Sequence, residues 1–445
     1  MAKSGTKGTS RLLSQSSESL TPSSYTLHEA LIKPNKPVNG NETLDITGII
    51  TKFNIIEDLN NPFIEAVFTI IDANNLIETL QLIGNEEIKI LLKRSPKKES
   101  SQDDAKWELN LKIAEIFGYV RHTASKQFYK IRCASTHIYS NQGKVLQRPF
   151  KNTIGTLVED IVKKDLAIEK HDIDSSSKGI IKGIYPTLKP LAAISWLLRN
   201  ASEDGSHFYF YENIVDGIKL KSYKKLLEEE VYDTYEFKPT FKFELGTPES
   251  YDEVRRRIRK LVGNDGVSKL TQISKGVYAS SLFTIDTAEK KFEKFIFNYD
   301  NKELQKVNKF KPFSDEDKIL GQKYSDLKNA KHHHVNLNSG SFPGFDNYHQ
   351  PLQPTLLKQI AQFEGLEEQE IQIQIPGDFE LCVGKVIQLD VVKAGDTEEL
   401  EEATMIDKNL SGKYIICRID NRFSNEFVQA LTIKRDSMGV DINAG

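Results

Sequence analysis

Residues 410–435 read LSGKYIICRIDNRFSNEFVQALTIKR. Residues 414–423 are rich in Tyr, Ile and Phe, the composition of a strand that packs on one face. Ser424, Asn425 and Glu426 form a short polar break, and residues 427–435 are strand-like again. Two such runs joined by three polar residues predict a hairpin. Upstream, residues 380–392 carry one glycine, Gly384, ahead of Val386, Ile387, Leu389, Val391 and Val392. The last ~70 residues therefore predict a small antiparallel sheet or barrel.

The same order occurs near the N-terminus. Leu82-Ile83-Gly84 leads into Ile88, Ile90, Leu91 and Leu92, a charged break SPKKESSQDD follows, and residues 107–120 and 127–133 form a second hairpin-like pair. In the C-terminal copy Cys382-Val383-Gly384 leads into the strand, and the break is the acidic AGDTEELEEATMIDKN. Strand, charged loop, strand, short break, strand is a repeat of pattern rather than of residue identity, and it predicts two similar β modules.

A length of 445 residues suits about three domains. With 38% hydrophobic and 28% charged residues the composition is that of a globular chain with real cores. The net charge of −3 asks for neither nucleic acid nor an anionic membrane. No apolar run reaches the ~18 residues of a membrane span, so no stable membrane association is expected, and the N-terminus has no apolar core of a secretory signal. Cys133, Cys382 and Cys417 lack metal-site spacing and sit in β-type runs, which reads as buried, reduced thiols of a protein made in a reducing cytoplasm.

Residues 1–24 are Ser-, Thr-, Gly- and Lys-rich and basic, which fits a transit peptide or an extended arm lying on a neighbour. Residues 25–136 read as mostly β, with Asn60-Asn61-Pro62 as a turn between strands and residues 73–82 as a short helix. Ile154, Leu157, Val158, Ile161 and Val162 make a helical stripe, and Pro190 begins a second helix. His207-Phe208-Tyr209-Phe210-Tyr211, then Asp216-Gly217, then residues 218–223 predict a hairpin, and 278–285 and 291–299 two further strands. Ser250 to Glu253 reads as a capping box opening a helix through Leu261. Residues 306–331 read as partly helical, 336–354 as a long loop, and Pro354 starts a helix stopped by Gly365.

No catalytic, cofactor or metal constellation emerges. Gly263-Asn264-Asp265-Gly266 lacks the spacing and Lys-Ser/Thr ending of a phosphate loop, and no HExxH, Gly-x-Ser-x-Gly or calcium loop is present. A glycosidase-like carboxylate pair stays open, because sequence does not show carboxylate spacing. His332-His333-His334 reads as an exposed polar loop, since adjacent residues point different ways and rarely hold one metal. Arg255, Arg256, Arg257, Arg259 and Lys260 form the strongest basic cluster. Val254, Ile258 and Leu261 run through it as an apolar stripe, which predicts a helix with a solvated basic face. That face could meet nucleic acid, or an acidic neighbour such as Glu398, Glu399, Glu401 and Glu402 of another copy.

With these residues laid out, the chain resembles the baseplate hub proteins of contractile-tailed bacteriophages, which are related to the spike-base module of type VI secretion and other injection machines. Four stretches carry the resemblance: Asn61-Pro62-Phe63 between strands; Ile194-Ser195-Trp196-Leu197 running on to Tyr211-Glu212-Asn213; Gly377-Asp378-Phe379-Glu380-Leu381 to Ile387; and Leu410-Ser411-Gly412-Lys413-Tyr414 onward to Lys434-Arg435-Asp436-Ser437. They span about residues 50 to 437, and their order and spacing make the match. The Ser-rich arm and residues 306–350 match nothing in the family.

The resemblance implies a mainly β fold with helices (α+β), in which two tail-tube-like antiparallel β-barrels flank and interleave with a mixed α/β middle region. The expected division is an arm over 1–24, a first barrel over 25–136, a middle region over 137–350 that contributes in part to the second barrel, a second barrel over 351–437 and a tail over 438–445. It further implies a homotrimer with pseudo-sixfold symmetry that joins a threefold central spike to a sixfold tail tube or tube-initiator protein. Such a ring would sit among baseplate wedge proteins, nucleate the tube, and line a channel for passing genomic DNA without specific binding. It would belong to the virion and assemble in the host bacterial cytoplasm. No catalysis and no cofactor or metal is implied. The rival readings are a nucleic-acid-binding protein using Arg255 through Lys260, and a spike-base component of a type VI-like machine. Arg255, Arg256, Arg257, Glu398, Glu399, Glu401 and Glu402 are the candidate interface residues.

Overall fold

The computed structural model describes residues 23–35, 37, 42–94, 105–123, 126–177, 179–237, 251–263, 268–287, 289–300, 304–337, 355–367, 369–393, 406–407 and 409–439. The 1–22 part of the arm, both charged breaks (95–104 and most of 394–409, with Glu398, Glu399, Glu401 and Glu402), Ser250, most of the 336–354 loop and Pro354 lie outside them. The chain is mainly β with helices, as the sequence implies.

The C-terminal hairpin forms as expected, from Gly412–Phe423 and Phe427–Arg435, antiparallel and turning at Ser424 to Glu426. Gly412–Phe423 is the strand through which the two ends of the chain meet. One edge carries Phe427–Arg435. Along the other edge, its first residues pair with Val386–Val391 and its last six with Ile50–Asp58, near the N-terminus. The changeover falls at Cys417, where the register with the hairpin partner shifts and the Cys417 carbonyl accepts from the Leu59 N–H at 2.8 Å. A twelve-residue strand beside a six-residue one leaves backbone groups that must be paired elsewhere, and the N-terminal strand supplies them.

The two similar modules are visible as two antiparallel three-strand meanders. Glu87–Arg94, Lys106–Thr123 and Lys126–Ser135 form one; Val386–Val391, Gly412–Phe423 and Phe427–Arg435 form the other. Gly84 and Gly384, aligned by the sequence pattern, enter their strands with φ of +98° and +87°, a region that favours glycine. At Gly384 an added Cβ would also meet the Tyr211 hydroxyl at 2.6 Å.

The expected pair of barrels is seen in part. A single 13-stranded sheet runs through both meanders, and no strand pairing among the described residues closes either one. The sheet nevertheless curls round its first core until the Phe427 N–H donates to the Ser23 carbonyl at 2.9 Å and the Tyr25 hydroxyl to the Ser424 carbonyl at 2.6 Å. Ser23 and Ser24, the last two residues of the arm, are buried there.

Two cores lie along this sheet. The first, built from Tyr25 through Cys133, also takes in Phe379, Phe423 and Phe427 from the far end of the chain. Phe68, Phe53, Phe423 and Phe427 stack in sequence, with centroids 5.5, 4.6 and 4.3 Å apart. Trp107 and Phe379 stand edge-on to Phe427 at 5.6 and 5.1 Å, and the Trp107 indole N–H donates to the Phe379 carbonyl at 2.8 Å. The second core joins Gln369–Pro376, Val386–Val391 and the hairpin to Tyr209, Tyr211, Tyr235 and Ile258.

The middle region packs its own core. Ile154–Asp160 is capped by the Thr153 hydroxyl and continues as a π-turn over Ile161–Asp165; Pro190–Leu198 begins at its proline. Both helices cover the hairpin Phe208–Asn213 and Gly217–Ser222. Gln359 and Lys358 of helix Leu356–Gly365 donate to the carbonyls of Ala201 and Asp204 at its end.

Three local expectations differ. The helix expected through Leu261 ends as Tyr251–Arg256, and Lys260–Gly263 is a strand beside Gln369–Pro376. The Ile258 and Arg259 N–H groups are taken by the carbonyls of Glu236 and Gln374, at 2.9 and 2.8 Å, before another helical turn forms. Between 306 and 331 the only helical element among the described residues is the 3-10 turn Tyr324–Asp326. His332-His333-His334 lies on strand His332–Leu337, parallel to Ala279–Asp286; the period of two puts His332 and His334 on one face and His333 on the other.

Truncating Phe427 to Ala opens the ring stack and is expected to cost about 3–5 kcal/mol. The reading is a lowered denaturant midpoint at unchanged slope, and a loss below about 1 kcal/mol would contradict the packing described.

Candidate assembly interface

The stretches singled out in the sequence meet at internal joints. Asn61-Pro62-Phe63 and Tyr211-Glu212-Asn213 touch each other. The Glu212 N–H donates to the Asn61 carbonyl at 3.4 Å, and the Glu212 carboxylate accepts from the Ile64 N–H at 3.0 Å and from the Ser135 hydroxyl. A His137 ring nitrogen lies 2.6 Å from the Pro62 carbonyl. Alongside, Glu57 is fully buried and accepts from the Asn421 amide at 3.1 Å and the Ile214 N–H at 3.4 Å. Burial pushes its carboxyl up to about 8, and raises that of Glu212 as well.

The second joint is Gly377-Asp378-Phe379. A Cβ on Gly377 would lie 2.0 Å from the Phe427 ring, so only glycine fits without displacing it. The Asp378 carboxylate, 3% exposed, accepts from Arg94 at 3.2 Å, Arg255 at 3.0 Å, the Tyr232 hydroxyl at 2.8 Å and the Glu380 N–H at 3.0 Å. Its backbone is gripped by Gln429, which accepts from the Asp378 N–H at 2.9 Å and donates to its carbonyl at 3.0 Å. The third joint is Arg435-Asp436-Ser437. The buried Arg435 guanidinium donates to Gln369 and the Ser411 carbonyl and lies 4.7 Å over Tyr414. Asp436 accepts from the Tyr223 hydroxyl and the Val307 N–H, both at 2.8 Å, and burial raises its carboxyl.

These joints account for part of the basic cluster. Arg255 pairs with Asp233 and Asp378, Arg256 with Asp233 at 2.9 Å, and Arg259 with Glu426 at 2.6 Å and the Ser23 hydroxyl at 3.0 Å. Arg257 bridges to Glu236 through its backbone. Arg255 and Arg256 thus tie the helix Tyr251–Arg256 to the sheet. The sequence showed the arginines but not their partners, because Asp233 and Asp378 are distant along the chain. Among the described residues no group of three His, Cys, Asp or Glu could hold a metal. The three cysteines are free and buried, and burial pushes the thiols of Cys382 and Cys417 up to about 12. Among the described residues no helix is long and apolar enough to cross a membrane.

Two surface features bear on assembly. The strand Lys106–Thr123 pairs with Glu87–Arg94 only through Lys112, and the Ile113 carbonyl takes the Asn85 N–H at 2.7 Å. From Glu115 to Thr123 it has a strand neighbour on one edge only among the described residues, Lys126–Ser135. Tyr119 and Val120 on this projection are 53% and 58% exposed. Such an edge invites a further strand. Elsewhere the outer face of the central strands carries charge in matched pairs: Arg418 with Asp58 at 3.3 Å, Arg422 with Asp420 at 2.7 Å, and Lys434 with Glu370 at 3.1 Å. They line a shallow depression of about 430 Å³.

No protein-family model and no curated protein matches the chain. Among solved structures it shares its fold with the tail protein from Neisseria meningitidis MC58, at 10% identity and a TM-score of 0.51, over 93% of this chain and 97% of that one. Also similar are the 43 kDa tail protein of prophage MuSo2 from Shewanella oneidensis, at 9% identity and 0.49 over 92% and 98%, and the E. coli c3393 protein, a component of the type VI secretion system, at 8% and 0.38 over 86% and 73%. At 10% identity the likeness to the Neisseria protein is one of fold alone.

Two outcomes follow from the joints. Asp378→Ala leaves two arginines facing a partly buried void and is expected to cost about 3 kcal/mol, while Asp233→Ala, removing the second partner of Arg255, costs less; equal stability of Asp378→Ala and the parent would contradict the joint. The second concerns pH. Between about 4.5 and 8 the unfolded chain gives up the Glu57 proton that the folded chain keeps, so stability falls as pH rises through that window. His207, whose ring nitrogens are buried without partners, is lowered by burial to about 3. The unfolded chain takes up a proton below 6.5 that the folded chain refuses, so stability also falls as pH drops from 6.5. Between pH 4.5 and 6.5 the two effects oppose each other, so melting temperature should change little there and decline above 6.5 through Glu57 and below 4.5 through His207. The decline from pH 6.5 to 8 should be shallower in Glu57→Gln, and an unchanged slope would overturn the assignment.

Proposed function

We propose that the chain is a structural hub of a contractile tail or a related injection machine, forming a trimeric ring that joins a threefold spike to a sixfold tube. The observation that carries this reading is the pair of similar meanders carried by one continuous sheet, in a fold like that of a tail protein over nearly its whole length. A threefold ring can meet a sixfold one only if each subunit offers two near-equivalent surfaces. One chain with two meanders has that property.

The projecting edge from Glu115 to Thr123 supplies a means of closure: a strand of the next copy pairs there and covers Tyr119 and Val120. The acidic residues Glu398, Glu399, Glu401 and Glu402 are placed as contacts between copies. Of the proposed partners, the spike and the tube lie along the ring axis and wedge proteins lie outside it. The DNA channel is lined by the face on which Arg418, Arg422 and Lys434 are each paired with a carboxylate. Charge balanced in that way gives phosphates no dense counter-charge to release ions against, so DNA passes without being held. The same pairing of Arg255 and Arg256 with Asp233 and Asp378 withdraws them from phosphate binding and disfavours the nucleic-acid reading. The family's parts are architectural, and the role proposed is without catalysis. The particle belongs to the virion.

The mass of the purified particle tests this reading. Three copies of the 50.6 kDa chain give about 152 kDa, and Tyr119→Asp with Val120→Asp should shift the particle towards the monomer. A parent protein that stays at the mass of one chain at micromolar concentration contradicts the proposal.

A further inference from the structure

The three-stranded sheet Lys291–Asn298, Ala279–Asp286 and His332–Leu337 presents a face that the hub reading does not use. One side packs through Leu282 and Phe297 on Leu357 and Ala361 of helix Leu356–Gly365. The other side, read from the register, brings together Phe292, Lys294 and Ile296, then Phe283 and Ile285, then His332, His334 and Asn336. Phe292 is 63% exposed, Ile296 54% and Ile285 40%. Scattered exposed apolar residues are ordinary, but a contiguous cluster on one small sheet marks a contact surface.

Two observations define what fits. The rings form a ladder across the strands: Phe292 stacks on Phe283 at 5.8 Å and 24°, and Phe283 on His334 at 5.3 Å and 16°. Their π faces are turned to one another, with the Lys294 ammonium 5.2 Å from the Phe283 ring. A base would need an open ring face on which to stack, so the surface suits a protein rather than single-stranded nucleic acid. The charged and titratable side chains on this face, Lys294, His332 and His334, are all basic in type and include no carboxylate.

The second observation is the edge. Lys291–Asn298 pairs with Ala279–Asp286 and with no other strand among the described residues. Beside its open edge runs a groove of about 640 Å³, lined by Phe295, Phe297, Leu304 and Leu357 on its apolar side. A strand laid along that edge would send alternate side chains into the groove and over the outer face, which is the geometry of β-strand addition.

We propose that this edge docks an extended segment of a partner protein in which aliphatic residues alternate with acidic ones. The aliphatic residues enter the groove, and the carboxylates meet Lys294 on the outer face of the neighbouring strand. Charge complementarity of this kind selects the partner and its direction. The surface is separate from the Glu115–Thr123 edge invoked for the ring, so the two proposals fail independently.

The test uses the full chain and a capped heptapeptide alternating valine and glutamate, followed by fluorescence anisotropy and by hydrogen exchange. The expected result is binding with added protection at residues 291–298. Phe292→Glu with Ile296→Glu, both exposed and so harmless to folding, should weaken binding about tenfold or more by like-charge repulsion, as should replacing every glutamate of the peptide by lysine. Equal binding of the lysine peptide, unchanged binding by the variant, or protection elsewhere would overturn the proposal. So would competition by a thymidine oligonucleotide, which would make the face a nucleic-acid platform. Dissociation of an oligomer by the variant would assign the face to a second copy and overturn it equally.

Discussion

Four phenylalanine rings hold the two ends of the chain together. Phe68 and Phe53 come from the first seventy residues and Phe423 and Phe427 from the last twenty-five, yet they form one stack inside one core. Each ring buried in such a place contributes a few kcal/mol, but position matters more than amount here. The stack lies at the far end of the pairing between Gly412–Phe423 and Ile50–Asp58, where Phe423 faces Phe53. Backbone pairing and ring packing act at the same seam, so the first core is incomplete without the C-terminal hairpin. A module expected to close on itself is instead completed by the other.

Burying charge at this seam is unfavourable unless every charge is matched. Asp378 has two guanidinium partners and a tyrosine, while Glu57 has only neutral donors and keeps its proton more tightly as a result. The contrast shows two solutions to the same desolvation problem. One recruits countercharge from elements far apart in sequence; the other neutralises the group. Both fix orientation, because Gln429 and Asn421 must point a set way to serve Asp378 and Glu57.

Much of the architecture was legible in the residues. The hairpins at Ser424-Asn425-Glu426 and Asp216-Gly217, the helices after Thr153 and at Pro190, and the recurrence of glycine before the first strand of each meander are local signals, and local signals survive in a sequence. The helix expected through Leu261 failed because the carbonyls of Glu236 and Gln374, brought in by the tertiary fold, captured the next N–H groups. The triple histidine read as a loop because a strand alternating His332 and His334 with His333 has no apolar face to announce it. The continuity of the sheet through both meanders was hidden for a different reason: pairing of Asp58 with Arg418 spans most of the chain, and composition carries no record of such contacts. At the candidate interface the arginines were visible and their acidic partners were not.

The central claim is that Gly412–Phe423 makes the two meanders one cooperative unit. Native-state hydrogen exchange under increasing denaturant measures this directly, by comparing amides of Glu87–Arg94 and Lys126–Ser135 with those of Val386–Val391 and Phe427–Arg435. The account requires both groups to merge into a single opening, with the same free energy and the same denaturant dependence. Two openings of different free energy and different slope, one for each meander, would show that the modules stand alone and that the pairing of Gly412–Phe423 with Ile50–Asp58 does not couple them.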